Sequence, residues 1–560
     1  MESTIFHKLK LFFEARQNLV YTVSLAVLLL SVYVYSLLPG VGYAGDTVKF
    51  QYVGYVLGTP HWPGYPAYML LNFLFTHLVP IASLAYRSNL MSAVFSVVAC
   101  IFLFRILSEI FHHNKITSFL TSFLFGITFT LWSQSVVAEV YTLAVTFIVL
   151  TVFFLFRWRQ TGLTGYFLSA CAVYAFSFGA HIWMIAILPA FIWFVISTDR
   201  KLLMRPKIIL AVVGLIMLGI IQYGYPIWRY YAGSPYLEII APDIRSYFAS
   251  ASQQGFRPKY FNFSFAGIIF HRVPLVCFFL VREFSFFLPV AFLGIVRIWK
   301  KDKQIAIFIL LCCAGDIFIV VNYDIYDIFI YMLISYFCIA VCCGAGMQAL
   351  INLNRLSRYK KTSYAVAGTF IVAIMCFNYK YVSMRDSNEK SETVKSMLNI
   401  INQNALIIST GYFTTHCLNY YLIGNRLAEK RNLHLVDQIV YPYGIFTYLK
   451  IGLPYTETRV PSQVIYPGLD VYIAMPFEPH RLMQYQSGRL FMWSFHSFLL
   501  DINDRAKKRG FRLLPDSIEN IRFVKTVIKA KEVEYTLISN LKRLGLKPVE
   551  VMPYLYRVTL

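Results

Sequence analysis

The stretch "AYMLLNFLFTHLVPIAS" (67–83) decides how this chain is threaded. It is apolar but short, and His77 and Pro80 interrupt its end. A segment of this length fits a re-entrant or interfacial helix better than a membrane crossing. Around it lie eleven further apolar stretches, near 18–38, 89–110, 116–133, 137–156, 163–180, 182–198, 207–225, 284–299, 304–322, 327–347 and 363–380. Several of them run to about 17 to 22 residues, enough to cross a bilayer core as helices. The 560 residues are 58% hydrophobic and only 14% charged, whereas a soluble domain is about 25% charged. Backbone groups in lipid must be satisfied within their own segment, so the spans are expected to be helical.

Charge decides the status of 67–83. If it does not cross, the basic residues fall on one side: Lys8, Lys10 and Arg16; Arg105 and Lys115; Arg157 and Arg159; Arg200, Lys201, Arg205 and Lys207; Arg297, Lys300, Lys301 and Lys303; Arg355, Arg358, Lys360 and Lys361. The positive-inside rule makes that side cytoplasmic. If 67–83 crossed, every later loop would flip and the rule would fail repeatedly. The segment is therefore expected to lie along the outer face. The same clustering accounts for the formal net charge of +23 and removes a nucleic-acid reading. The ten cysteines carry no chemistry of their own. Most, such as Cys312, Cys313, Cys338, Cys342 and Cys343, sit inside apolar stretches as small buried hydrophobes. The first apolar run is too long for a signal-peptide core and no small-residue cleavage motif follows it, so it is expected to remain as the first span.

The outer side collects a different set of residues. It holds the loop after the first span, "WSQSVVAEVY" (132–141), the turn around His181, the long loop 226–283, "NYDIYD" (322–327) and the tail from about 381 onward. An acid at the centre of a spanning helix costs about 2.5 to 3.5 kcal/mol on insertion scales. Asp46, Glu139, Asp324 and Asp327 instead gather at outer helix ends, where they can meet in one water-accessible cavity. The tail is long enough for one small domain. "ALIIST" (405–410) reads as a strand, "TTHCLNYYLIGNRL" (414–427) as a helix and "NLHLVDQ" (432–438) as a second strand. The end, "YTLISNLKRLGLKPVEVMPYLYRVTL" (535–560), reads as a helix, a glycine stop and a strand. No internal repeat, glycine-rich phosphate loop or G-x-S-x-G is present, so nucleotide-driven and hydrolase readings lack their motifs.

Each polar candidate carries two readings. Asp46 follows Gly45 and is either aimed into a cavity, where it can take a proton from an attacking hydroxyl, or a helix cap. In "HWPGYP" (61–66) Pro63 and Pro66 fix φ and Gly64 allows a turn, so the run either holds His61 over a site or simply leads out of an interfacial helix. Glu139 either complements a helix dipole or adds a second acid to the cavity. His181, between two spans, is either structural or functional. Asp316 lies inside a span, which marks it as functional or as half of a buried polar pair. Asp324 and Asp327 share a face if helical and can hold a divalent ion or a sugar hydroxyl, but two acids alone do not make a metal site. Arg87, Arg272 and Arg282 are candidate phosphate partners or snorkelling interface residues.

Five blocks occur in order: "GDTVKFQYVGYVLGTPHWPGYPAY" (45–68), "AYRSNLMSAVFSVVA" (85–99), "LWSQSVVAEVYTL" (131–143), "FGAHIWMIAILP" (178–189) and "NYDIYDIFIYMLISY" (322–336). Together they resemble the motif blocks of a GT-C-type membrane family whose eukaryotic member is the O-mannosyltransferase of plexin-type IPT domains. The likeness covers roughly residues 15 to 350 and is looser in the tail. It implies an α-helical polytopic membrane domain of GT-C type with about eleven spans over 1–380, followed by an extracytoplasmic α/β domain over 381–560. It also implies transfer of a sugar, mannose foremost, from a polyprenyl- or dolichyl-phosphate carrier to a hydroxyl of a protein, lipid or glycan, with inversion and without a cofactor. Asp46 matches the family's acid in the first outer loop. His61, Pro63, Gly64, Tyr65 and Pro66 match its histidine-proline-glycine run, and Glu139 and His181 its later acid and histidine. Lys49 stands where that family usually has a second acid, which counts against a metal at that loop. Two places fit such a protein: a bacterial inner membrane with the tail outside, or the endoplasmic reticulum membrane. The competing readings are a lipid-linked-glycan flippase and an envelope scaffold. A flippase would need polar groups along a path through the membrane.

Overall fold

The computed structural model describes residues 2–42, 46–253, 260–325, 327–353, 359–387, 389–409, 412–437, 470–474, 547–552 and 555–559. Among these, eight helices are long and apolar enough to cross a membrane: Arg16–Ser36, Leu84–Ile110, Tyr141–Thr161, Pro206–Tyr231, Phe265–Lys301, Lys303–Asn322, Ile328–Ile351 and Lys360–Val382. A ninth is the bent pair Lys115–Gly126 and Phe129–Ser135, if its 67° break is crossed as one span. All eleven expected segments contain helix. The shortfall from eleven lies at Thr164–Ser177 and Ile182–Thr198, helical stretches of 14 and 17 residues. At about 1.5 Å per residue they reach roughly 21 and 25 Å, less than the ~30 Å of a hydrocarbon core.

Two compact units are formed. The first comprises Met1–Leu37, Leu57–Leu78 and Asn89–Val382. In it, the helix ends assigned to the cytoplasmic face meet one another. Arg105 pairs with Glu109 at 2.9 Å, Arg157 lies 3.8 Å from the same carboxylate, and Arg159 pairs with Asp302 at 2.6 Å. Gln304 then reaches Ser197 and Thr198 at 2.8 and 2.6 Å. The helices pack closely where glycine removes a side chain. A Cβ on Gly294 would run into the Cys342 carbonyl, and one on Gly346 into the Val290 carbonyl, so Leu288–Lys301 and Leu333–Ile351 touch backbone to backbone.

The segment 67–83 forms a helix only over Pro66–Leu78, which is not among the helices able to span. Its 13 residues rise about 20 Å. Leu70, Leu74 and Leu78, four apart, are exposed, while Tyr68, Asn72 and Thr76 are buried. An apolar stripe outward and a polar stripe inward is the pattern of a helix against lipid rather than against water.

The second unit comprises Leu38–Val56, Val79–Ser88 and Ser383–Leu560. The tail thus forms one body with two pieces of the first outer loop. Tyr52 Oη and His416 Nδ1 are 3.1 Å apart, the Ala85 amide donates to Tyr420 Oη at 3.2 Å, and Gly424 lies against Tyr52 and Leu84. Its core is a five-stranded sheet. Five strands are numbered in chain order: β1 (Ala405–Ser409), β2 (Leu433–Asp437), β3 (Asp470–Ala474), β4 (Lys547–Met552) and β5 (Leu555–Thr559). Their order is β2-β1-β3-β5-β4. β1 runs parallel to β2 and β3, with Ala405 opposite Leu433 and Asp470, and β5 runs antiparallel to β3 and β4. The helices Tyr412–Asn419 and Leu427–Arg431 make the crossover between β1 and β2. Parallel neighbours require such a crossover, which is what the strand–helix–strand reading of 405–438 anticipates. The helix expected near 535–544 lies outside the described residues.

Candidate functional site

Asp46 begins the short helix Thr47–Phe50, but its side chain makes no capping bond there. Its carboxylate instead pairs with Lys49 Nζ at 3.1 Å, one turn on. The acid is 35% exposed and the lysine 1%. The carboxylate can therefore meet a ligand, while the ammonium that holds it stays inside. Arg87 lies in the same unit, half-buried in the first turn of Leu84–Arg105, near enough to Tyr420 to influence its hydroxyl.

The first unit carries a second group of candidates. In the run 61–66 the Trp62–Pro63 bond is cis, Gly64 has φ +87° and Tyr65 φ +43°. The end of Pro206–Tyr231 and the loop after it hold this run and the residues just before it. Thr59 bridges Leu237 in parallel, Arg229 Nε donates to the Leu57 carbonyl at 2.7 Å, and Tyr247 Oη donates to the Pro63 carbonyl at 3.1 Å. A Cβ on Gly64 would stand 3.3 Å from Ile239 and Pro226, so both the space and the positive φ favour glycine here. This geometry delivers His61 Nε2 to 2.9 Å from Tyr65 Oη.

From Tyr65 the cluster continues through aromatic contacts. The Tyr65 ring lies 5.7 Å from His181, His181 stacks on Tyr141 at 5.3 Å, and Tyr331 meets His181 edge-on at 5.4 Å. Tyr331 leads to Tyr323 at 5.5 Å, and Tyr323 stacks flat on Tyr260 at 4.2 Å. His181 starts the turn Ile182–Ile187, and its Nδ1 accepts from the Trp183 amide at 3.1 Å. Nε2 is 3.5 Å from Tyr331 Oη. Burial, helped by the nearby His61, pushes the His181 pKa down to about 3. The ring is thus neutral at ordinary pH, with its proton on Nε2. Burial, and then the fields of Tyr260 and Asp327, raise the Tyr323 hydroxyl well above its usual range, so it stays a neutral donor.

Glu139 is buried two residues before Tyr141–Thr161; its backbone amide and carbonyl both lie within hydrogen-bond reach of Ser92 Oγ. Burial first, then the Glu139 carboxylate, raises the Tyr68 hydroxyl. The condition for Asp324 and Asp327 to share a helix face is not met: Tyr323 is in a β-bridge and Asp324 in irregular backbone. Asp327 precedes the turn Ile328–Met332 and contributes its field to Tyr323. No group of three or more metal-ligating side chains occurs among the described residues.

The other two arginines serve the fold. Arg272 Nη2 donates to the Val320 and Tyr323 carbonyls at 2.7 and 2.6 Å, closing the end of Lys303–Asn322. Arg282 pairs with Glu283 at 3.0 Å, both buried, and Glu283 accepts from the amide and hydroxyl of Thr130 at the start of Phe129–Ser135. Neither arginine snorkels. The residues the sequence reading passed over are Tyr141, Tyr331, Tyr323 and Trp183. A tyrosine recurring in "EVYTL" and "NYDIYDIFIY" was the available signal.

Residues 46–204 match the family described as the Protein O-mannosyl-transferase TMEM260 N-terminal domain. The mouse Protein O-mannosyl-transferase TMEM260 is 24% identical over 459 residues, 77% of this chain and 63% of the mouse protein. Its counterpart from Dictyostelium discoideum is 22% identical over 195 residues, 32% of this chain and 24% of that protein. The chain thus spans less than two-thirds of either relative. Among solved structures, ArnT from Cupriavidus metallidurans bound to undecaprenyl phosphate superposes with a TM-score of 0.54 at 10% identity, covering 81% of this chain and 92% of ArnT. The apo form gives 0.54 at 9% identity, covering 84% and 95%. The resemblance read from the five blocks is borne out, and the fold is the GT-C-like helical one. The chain is an integral multi-pass membrane protein.

Proposed function

We propose that this chain is a membrane glycosyltransferase. It takes a sugar, mannose foremost, from a polyprenyl- or dolichyl-phosphate carrier and places it on a hydroxyl, a protein serine or threonine ahead of a lipid or glycan. The observation that carries this reading is the position of the Asp46–Lys49 pair. It opens the stretch that matches the TMEM260 N-terminal domain, in the loop where an acid was expected. The mouse relative's name supports mannose and a protein acceptor, and the undecaprenyl phosphate in ArnT supports a lipid-phosphate donor.

In the proposed reaction the acceptor oxygen attacks the anomeric carbon while Asp46 takes its proton. The bond from that carbon to the phosphate oxygen breaks on the opposite side, and the electron pair leaves with the carrier phosphate. One displacement of this kind inverts the anomeric centre. Arg87 is the arginine we assign to the phosphate, since it lies in the same unit as Asp46, half-buried in the first turn of Leu84–Arg105. Tyrosine and histidine faces with polar rims suit a sugar, which offers C–H faces and hydroxyl edges. We assign that role to Tyr65, His181 and Tyr331, with His61, Glu139, Asp324 and Asp327 as further hydroxyl partners. The reaction side is the one opposite the basic helix ends, with the tail outside a bacterial inner membrane or within the endoplasmic reticulum.

The test is sugar transfer by purified protein in lipid nanodiscs. Polyprenyl-phosphate mannose, glucose and aminoarabinose are offered separately with an extract of envelope proteins. Transfer from mannose to protein is the expected result. Carrier lipid crossing the bilayer with no transfer from any donor would replace this reading with the flippase.

A further inference from the structure

Asp316 lies in the middle of Lys303–Asn322 and is wholly buried. Three donors meet its carboxylate. The Trp183 indole Nε1–H donates to Oδ1 at 2.9 Å, and Ser335 donates its amide and hydroxyl to Oδ2 at 2.9 and 2.6 Å. These donors come from two other elements, the turn Ile182–Ile187 and the helix Leu333–Ile351. The first is pressed close: a Cβ on Gly315, next to Asp316, would collide with the Ala186 carbonyl.

Trp183 bonds in two directions. Its indole is held by Asp316, and its backbone amide donates to His181 Nδ1 at 3.1 Å. A ring nitrogen that accepts there leaves the proton on the other nitrogen, the one facing Tyr331 Oη at 3.5 Å. Ser335, the other residue held by Asp316, lies one turn past Tyr331. Asp316 therefore grips both sides of the His181–Tyr331 pair without touching either ring. We infer that Asp316 is a positioning residue that fixes the tautomer and orientation of His181 through Trp183. Its kinetic consequence rests on the transferase reading; its effect on the imidazole does not.

The test labels the histidine ring nitrogens with nitrogen-15 in the full-length protein in nanodiscs. His181 is identified as the signal missing from His181→Gln. In the wild type this ring is expected as a single neutral tautomer protonated on Nε2. In Asp316→Asn the signal is expected to split between both tautomers, because the carboxamide presents an N–H group to one of the three donors. Trp183→Phe, which removes the indole donor and keeps the backbone amide, is expected to do the same and serves if Asp316→Asn does not fold. In transfer assays, adding Asp316→Asn to His181→Gln should cost no further activity, since both act on one element. An unchanged His181 signal in both variants would overturn the inference and leave the transferase reading standing. A single tautomer in wild type that splits in the variants, in a wild-type protein that transfers no sugar from any donor, would uphold the inference and sink that reading.

Discussion

Replacing Asp46 by Asn separates chemistry from structure at the first outer loop. Asn keeps the shape of the side chain and an oxygen to place toward Lys49 Nζ, which stands 3.1 Å from Asp46 in the native protein. It cannot accept a proton. Positioned general bases contribute about 10²- to 10⁴-fold, so kcat should fall by that factor, equivalent to about 2.7 to 5.4 kcal/mol of barrier. The cost to the fold is smaller. Breaking a fully buried ion pair costs roughly 3–5 kcal/mol, but here the replaced carboxylate is 35% exposed and the Asn oxygen still faces the buried Lys49 ammonium, which offsets part of that cost. The expected pattern is a collapse in kcat, a KM for the lipid-phosphate sugar within a few-fold of wild type, and a modest drop in unfolding midpoint. Purified variants in nanodiscs with a radiolabelled mannosyl carrier would measure all three. A folded Asp46→Asn enzyme with wild-type kcat would refute the role of the acid as base.

Glu283→Gln should destabilise by about 3–5 kcal/mol, because it removes the carboxylate that Arg282 faces in a buried pair; a detergent melting curve matching wild type would count against that. Gly294→Val should cost at least about 1–3 kcal/mol by overpacking, since its side chain would enter the space of the Cys342 carbonyl; recovery of folded protein by size-exclusion reads the outcome. The depressed His181 pKa sets a pH window. Unfolded, the ring binds a proton near pH 6.5; folded, it does so only near 3. Between those values the unfolded state holds more protons, so stability falls as pH drops, by about 1.4 kcal/mol per unit from this group. His181→Gln should flatten the acid limb of a stability–pH curve and leave it unchanged above pH 7.

The membrane fold was legible because its signals are one-dimensional. Apolar length locates helices, and the row of basic residues from Arg105 to Lys303 fixes which ends belong together. Those ends do meet, through Glu109, Asp302 and Gln304. The strand at 405–409 and its partner at 433–437 were legible for a similar reason, being short apolar runs around a helical stretch. Pairings across the chain were not legible. Nothing near Asp316 in sequence announces Trp183, and nothing near Glu283 announces Thr130, because burial, not spacing, selects those partners. The two acids of "NYDIYD" show the opposite limit: a spacing of three puts side chains on one face only in a helix, and Asp324 lies in irregular backbone.

The fate of the buried acids also bears on the choice between catalysis and transport. A path for a polar headgroup through the bilayer needs polar groups spaced along it and available to the cargo. Asp316 is the deep acid, and its two oxygens receive three donors from Trp183 and Ser335. Glu283 is neutralised by Arg282 and bonded by Thr130. Offering either carboxylate to a passing ligand would mean breaking those bonds at bilayer depth, where each lost partner leaves a desolvated group. Asp46 differs in kind. Its own carboxylate is 35% exposed, so a ligand can reach it without being buried in the helices. The buried acids Asp316 and Glu283 thus hold geometry, and the acid proposed for the chemistry is Asp46, whose carboxylate reaches solvent.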